Sequence, residues 1–291
     1  MANLKNLKLR IRSVKSTQKI TKAMKMVSAS KLRKAREAIE SNRPYTEKMN
    51  EITKIVASNV DNANSIPLFY GRGNVHKLLF IVVTSDRGLC GGLNSSVVRL
   101  VKKRIAEAKN QNHSVNILCI GKKGYEQLHL LKNVEVKMVE NFTYGKKLDS
   151  APLHKLADSL MIEFSKETFD ACYIFFNEFV SAVTQNVSYK QLLPLFAQDD
   201  IVVQDSNNQF EFEPEAQKMI TDLVGRNMAA NLLSIVLENI ASEHGARMTA
   251  MENASNNAGA MIKDLNILYN RTRQSAITTE LIEIISGAEA I

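Results

Sequence analysis

The stretch MENASNNAGAMIKDLNIL, residues 251–268, decides the fold. Within it Met251, Ala254, Ala258, Met261, Leu265 and Leu268 recur at alternating three- and four-residue steps. That is the heptad seam of a helix lying along another helix. Leu237 and Ile240 extend the stripe upstream, and His244 and Arg247 lie on it. Pro214 is the last of five prolines, and between it and Gly287 only Gly225, Gly245 and Gly259 interrupt the helix formers. The pattern predicts one helix from about 215 to 287, roughly 100 Å long at 1.5 Å per residue. The rest of the chain, folded compactly, has a radius of gyration of only about 17 Å. A helix that long is expected to protrude from its own domain, and its apolar stripe needs a partner.

The other end of the chain supplies one. Leu4, Leu7, Ile11 and Val14 step by three, four and three, Gln18 and Thr21 continue the stripe weakly, and Met24, Leu32, Ala35 and Ile39 resume it on a slightly rotated face. A helix of some forty residues is predicted, bent or broken near Asn42–Pro44, with a second short helix from Thr46 to about Asn59. Up to Arg43 the chain carries 13 Lys and Arg against Glu37 and Glu40, a net +11. The whole chain sums to +8, so everything beyond Arg43 is mildly acidic. A nucleic-acid arm would use such lysines on phosphates, and a coiled-coil strand would use them to meet an acidic protein. A solvated face kept soluble by charge is the bland third reading. The apolar stripe argues against a free nucleic-acid arm, which needs no heptads.

Between the helices the pattern changes to alternating short apolar runs and helical segments. After a linker at 62–74, strands are expected at 78–83, 115–120, 134–139 and 171–176, and helices at 93–108, 125–131 and 152–168. A β-rich stretch at 183–195 leads into polar loops ending at Pro214. Alternation of this kind predicts a mainly parallel, doubly wound, Rossmann-like α/β sheet. The domains expected are thus residues 1–59, 75–213 and 214–291.

Ser85-Asp86-Arg87-Gly88-Leu89-Cys90-Gly91-Gly92-Leu93-Asn94 occupies the first strand-to-helix turn, where dinucleotide folds hold a phosphate. Its spacing is G-x-x-G-G, not G-x-G-x-x-G, and no G-x-x-x-x-G-K-[ST] occurs in the chain. Gly121-Lys122-Lys123-Gly124 is equally insufficient, so these glycines are read as sharp turns and no cofactor is expected. Cys90, beside Arg87, is either an activated thiol or a small buried hydrophobe. Three widely spaced cysteines suggest reduced thiols, and the five histidines show no metal-ligand spacing with them. The longest apolar runs, 78–83 and 171–176, are far too short to span a bilayer, and no signal-like segment opens the chain.

If the two terminal helices run antiparallel, residue n of the first lies near residue 273 − n of the second. Met24 then falls beside Arg247 and Met248, Gln18 beside Ser255, and Leu4 near Tyr269. The last twenty or so residues have no partner within the chain.

This layout resembles the gamma subunit of F-type ATP synthase, the central rotor shaft, over essentially the whole chain. The most specific stretches are ITKAMKMVSASKL (20–32), the turn at 85–94, ASEHGARM (241–248) and YNRTRQSAITTEL (269–281). The resemblance implies an antiparallel coiled coil inside a hexamer of alternating alpha and beta subunits. It puts the α/β domain toward the membrane, against the epsilon subunit and the c-ring, on the cytoplasmic face of a bacterial inner membrane. It implies a non-catalytic subunit, and the dithiol insertion of chloroplast members is missing, so no thiol switch is expected. By the same resemblance Met24 and its basic neighbours face acidic loops of beta. Arg247, Gln274, Thr278 and Glu280 match hexamer-contact positions, and Phe212, Glu213 and Glu215 match the segment seated on the c-ring. Each has a plainer reading: Met24 as a core knob, Arg247 as a paired seam residue, Gln274, Thr278 and Glu280 as solvated positions, and 212–215 as a strand end and helix start. The remaining function classes, an enzyme on the α/β domain and a basic nucleic-acid binder, are weakened by the missing fingerprint and by the apolar C-terminal end.

Overall fold

A computed structural model describes residues 4–59, 67–132, 134–139, 151–196 and 216–289. The elements run α1 (Leu4–Asn59), α2 (Pro67–Tyr70), β1 (Lys77–Val83), α3 (Leu93–Asn110), β2 (Ser114–Ile120), α4 (Lys122–Leu128), β3 (Glu135–Met138), α5 (Ala151–Ser165), β4 (Ala171–Phe179), β5 (Gln185–Leu193) and α6 (Ala216–Glu289). Contacts divide the chain into two units: residues 1–29 with 247–291, and residues 30–246.

Of the bend or break expected at Asn42–Pro44, the break does not occur, because α1 is one helix with Pro44 inside it. A mid-helix proline loses one backbone bond and crowds the carbonyl four residues back, at a cost of about 3 kcal/mol. Side chains on either side of it are bonded to each other: Asn42 Nδ2 donates to Thr46 Oγ1 at 3.0 Å, and Thr46 Oγ1 donates to the Asn42 carbonyl at 3.3 Å. The seam does not rotate either. Residues 4, 7, 11, 14, 18, 21, 25, 28, 32, 35, 39, 42, 46, 49, 53 and 56 are all buried or half-buried, in unbroken three-four alternation. The stripe fades in sequence because polar residues occupy it. Thr21, Ser28 and Thr53 donate their hydroxyls to carbonyls of α1 itself, at 3.0, 2.8 and 2.6 Å, and so demand nothing from across the seam.

The second unit is built on a five-stranded sheet in the order β3-β2-β1-β4-β5. β1 pairs in parallel with β2 and β4, β2 in parallel with β3, and the edge strand β5 antiparallel with β4. This mixed sheet is the expected architecture with its last strand reversed, which a tight β4–β5 hairpin permits. β1 is buried on both faces, as a central parallel strand must be. Phe80, Val82, Ile117, Cys119 and Phe175 pack against Val97, Val101 and Ile105 of α3 and Leu128 of α4. α5 turns Leu153, Leu156, Ala157, Leu160 and Phe164 inward at helical spacing.

Two further differences concern the ends of the sheet. The stretch read as a linker contains α2, where Phe69 is fully buried and packs on Phe196 with ring centroids 5.8 Å apart. And α6 is buried on most of its circumference between Ile220 and Gly245, so this part is core of the second unit. Its low proline content revealed the helix but not this burial.

Candidate functional site

In the first unit α1 and α6 run antiparallel and pair side by side. Leu7, Ile11 and Leu265 form a small apolar cluster, closed by Val14 and Tyr269. Gln18 Nε2 donates to the Ser255 carbonyl at 3.4 Å, the pairing that the antiparallel arithmetic requires. A Cβ on Gly259 would sit 3.1 Å from Gln18 Nε2, so glycine is what lets that amide cross. Lys25 Nζ meets Glu252 Oε1 at 2.6 Å, with both side chains more than a third exposed. Such a pair contributes at most about 1 kcal/mol.

The seam of α6 differs in one respect from the stripe read in the sequence. Met251, Ala258 and Leu265 are buried as expected, but the second line is Ser255, Ile262 and Tyr269. Ala254 is half-buried, whereas Met261 and Leu268 are each 46% exposed. Both phases of the heptad share the buried line. Hydrophobicity alone chose the wrong companion, because the larger side chains of 261 and 268 outweighed the polar Ser255.

The sites expected to meet partners fall into three groups. Met24 is half-buried at the seam's edge, and Arg247 is only 8% exposed, which favours a seam role for its guanidinium. Gln274, Thr278 and Glu280 are exposed on α6, and Thr278 Oγ1 donates to the Gln274 carbonyl at 2.9 Å. Phe212, Glu213 and Glu215 lie outside the described residues. From 277 to 288 every residue of α6 is exposed, including Ile277, Leu281, Ile282, Ile284 and Ile285 at 46–68%. Leu9, Ile20, Met26 and Val27 of α1 are also more than half exposed, among a row of exposed lysines and arginines. Exposed apolar stripes of this size mark contact surfaces.

The two glycine-bearing turns of the second unit differ: Gly88 and Gly91 border open space, whereas Gly121 and Gly124 lie against Thr84. Strand order reverses between β1 and β4, and the turn after β1 is where open α/β sheets bind ligands. There the Ser85 N–H donates to Asn94 Oδ1 at 3.1 Å, while Asn94 Nδ2 donates to Ser85 Oγ at 2.7 Å and to Cys90 Sγ at 3.4 Å. Ser85, Cys90 and Asn94 are buried, so Cys90 is a small buried residue whose sulfur is held by the polar groups of the turn. The start of α4 is likewise consumed. Lys122 N–H donates to Asp86 Oδ1, Lys123 N–H to the Ser85 carbonyl and Gly124 N–H to Thr84 Oγ1, at 3.1, 3.1 and 2.8 Å. Gly121 has φ +101°, and a Cβ there would lie 2.1 Å from the Thr84 carbonyl oxygen. Gly121 and Gly124 permit a close approach of the two turns, and the first amides of α4, at Lys122, Lys123 and Gly124, are already bonded. Cys119 and Cys172 are buried in the sheet, and burial pushes the Cys119 thiol up to about 12.

Comparison with known proteins agrees with this geometry. A family described as ATP synthase matches residues 3–291. The ATP synthase gamma chain of Pelagibacter ubique is 44% identical over 293 residues, covering all of both chains. That of Jannaschia sp. is 45% identical over 302 residues, again covering both completely. Among solved structures, the central stalk/c-ring of Tetrahymena thermophila mitochondrial ATP synthase matches 81% of this chain and 99% of its own, at 26% identity and a TM-score of 0.60. The rotor of Euglena gracilis mitochondrial ATP synthase matches 94% and 98%, at 22% identity and a TM-score of 0.62, a likeness of fold. Matched from end to end by the family and by these relatives, the chain belongs to the ATP synthase gamma-chain family.

Proposed function

We propose that this chain is the turning shaft of an F-type ATP synthase, coupling proton-driven rotation of a c-ring to nucleotide turnover in a hexamer of alternating alpha and beta subunits. The observation that carries the reading is the end of α6. Ile277, Leu281, Ile282, Ile284 and Ile285 stand in water on a helix whose pairing with α1 has already run out. Covering such side chains is worth roughly 1.5–3 kcal/mol each, so a partner is required. A partner that lets the helix turn must be smooth and apolar, because fixed ion pairs would hold particular angles. Beyond Arg273 the charged side chains are only Glu280, Glu283 and Glu289, which suits that demand.

The chain does no chemistry of its own in this reading. Its angle biases the nucleotide affinity of three beta subunits in turn, a coupling between separate sites through a rigid body. The exposed lysines of α1 with Met24 beside them meet acidic loops of beta, and Gln274, Thr278 and Glu280 touch the hexamer nearer the tip. Arg247, buried, holds the seam. The α/β sheet, with Phe212, Glu213 and Glu215, faces the epsilon subunit and the c-ring, on the cytoplasmic side of a bacterial inner membrane. No described helix is long and apolar enough to cross a membrane, which suits a peripheral subunit.

The test is reconstitution with alpha and beta subunits. The chain should co-purify with a hexamer and support ATP hydrolysis with rotation of a bead fixed to it. Ile284→Glu would place a charge in the apolar collar and should weaken subunit retention or slow rotation, while Lys109→Glu, at an exposed site on α3, should do neither. An Ile284→Glu variant indistinguishable from the parent would refute the collar.

A further inference from the structure

A shaft that delivers torque must not turn inside the body that drives it, and the second unit holds α6 in an unusual way. β4 pairs with β1 only as far as Phe175, opposite Val82. Two residues later the edge that β1 has vacated is taken over by side chains of α6. Asn239 Oδ1 accepts from the Asn177 backbone N–H at 3.3 Å and from Asn177 Nδ2 at 3.2 Å. Ser242 Oγ donates to the Asn177 carbonyl at 3.0 Å. All three residues are at most 1% exposed. One further step along the same face, Gly245 admits the β4–β5 turn, where a Cβ would sit 3.2 Å from the Ala182 carbonyl oxygen.

We propose that Asn177, Asn239 and Ser242 are positioning residues that lock the rotational angle of α6 against the sheet and so carry torque between them. This rests on the shaft function proposed above. The physical reason lies in the kind of contact. Apolar burial is non-directional, and a helix can roll or slide against an apolar face while keeping most of its buried area. Hydrogen bonds are directional and fail steeply with misalignment. A shift of α6 by one residue, 100° and 1.5 Å, removes both Asn239 and Ser242 from Asn177. It would leave an N–H, a carbonyl and an amide unpaired where water cannot reach them. Asn239, Ser242 and Gly245 recur every three residues and so span about 120° of the circumference of α6, the face turned to β4 and its hairpin. Apolar side chains of α6 around that face supply adhesion but no angular reference.

The experiment uses the complete ATP synthase in vesicles, comparing protons pumped per ATP with hydrolysis by the complex freed of its membrane part. Ser242→Ala, a mild change, and Asn239→Leu, similar in shape, should keep unloaded hydrolysis within about twofold of the parent. Under a proton gradient they should lose pumping per ATP, more than twofold for Ser242→Ala and more than fivefold for Asn239→Leu. Asn239→Asp keeps the accepting oxygen while introducing a buried charge, so it should be the less stable variant and yet the better coupled one. A role in stability alone predicts the opposite order. If Asn239→Leu does not assemble, Ser242→Ala decides. Parent-like pumping by Ser242→Ala, or equal uncoupling by the Asp and Leu variants at 239, overturns the lock. Failure of the parent chain to assemble with a hexamer would instead overturn the shaft reading, so the two failures are distinguishable.

Discussion

Leu265 and Leu268 lie three residues apart on α6, and only one of them belongs to the seam. Leu265 is 8% exposed in the cluster with Leu7 and Ile11, and Leu268 is 46% exposed. Leu265→Ala removes three carbons from that cluster, a transfer loss of roughly 2–2.5 kcal/mol. The cavity contribution is small, because a two-helix pair is open enough to collapse or admit water, so about 2 kcal/mol is expected in all. Leu268→Ala forfeits about half the transfer energy and recovers some through the better helix propensity of alanine, leaving about 0.5 kcal/mol. Backbone hydrogen exchange at residues 4–14 and 258–272 reads the opening of this pair directly. At tenfold per 1.4 kcal/mol, Leu265→Ala should accelerate exchange there about 30-fold and Leu268→Ala about twofold. Strands β1 and β4 should be unaffected by either. Equal acceleration by both variants, or a larger effect at Leu268, would refute the seam phase described above.

Gly124→Ala places a Cβ 2.7 Å from Thr84 Oγ1, which also accepts from the Gly124 N–H, and should cost about 2–3 kcal/mol in chemical denaturation. Gly88→Ala, with nothing within 4 Å, should stay within about 0.5 kcal/mol; parity between the two would refute the close-approach role of Gly124. Glu238 has its carboxyl pushed up by burial, with Glu178 adding to the rise and Lys190 and Arg43 opposing it. A folded state that holds its proton more tightly loses stability as pH rises from the unfolded carboxylate range to the raised value, and no more beyond it. Glu238→Gln should therefore raise Tm at pH 7 by about 1–2 °C and leave it unchanged near pH 4, and a Tm lowered at pH 7 would mean that the charge is stabilising. Cys119 and Cys172, raised by burial, should resist iodoacetamide in the native chain at pH 8 and react only after denaturation; labelling by mass spectrometry checks this.

Periodicity determined a good deal here. Helix and strand are distinguished by repeats of 3.6 and 2, and these repeats lie in the order of residues, so α6, β1, α3, β2 and β4 were legible within a few positions. The antiparallel pairing was legible too, since chain connectivity and helix length leave little choice, and Gln18 does meet Ser255. The missing phosphate fingerprint was legible as spacing, whereas the bonds among Thr84, Ser85, Asn94 and Gly124 that shape these turns were not. Other features depended on neighbours far along the chain. Pro44 reads as a break because its local cost is certain, while the burial that outweighs it belongs to residues such as Thr46 and Met49 packed against something else. The phase of the α6 seam was ambiguous because Ala254 and Ser255 differ little in size, and only the facing helix selects between them. Asn177, Asn239 and Ser242 carried no signal at all. A polar residue in a helix or strand is ordinarily a solvated one, and whether it is instead a buried hydrogen-bonding partner depends on a group some sixty residues away that only folding brings to 3.0–3.2 Å.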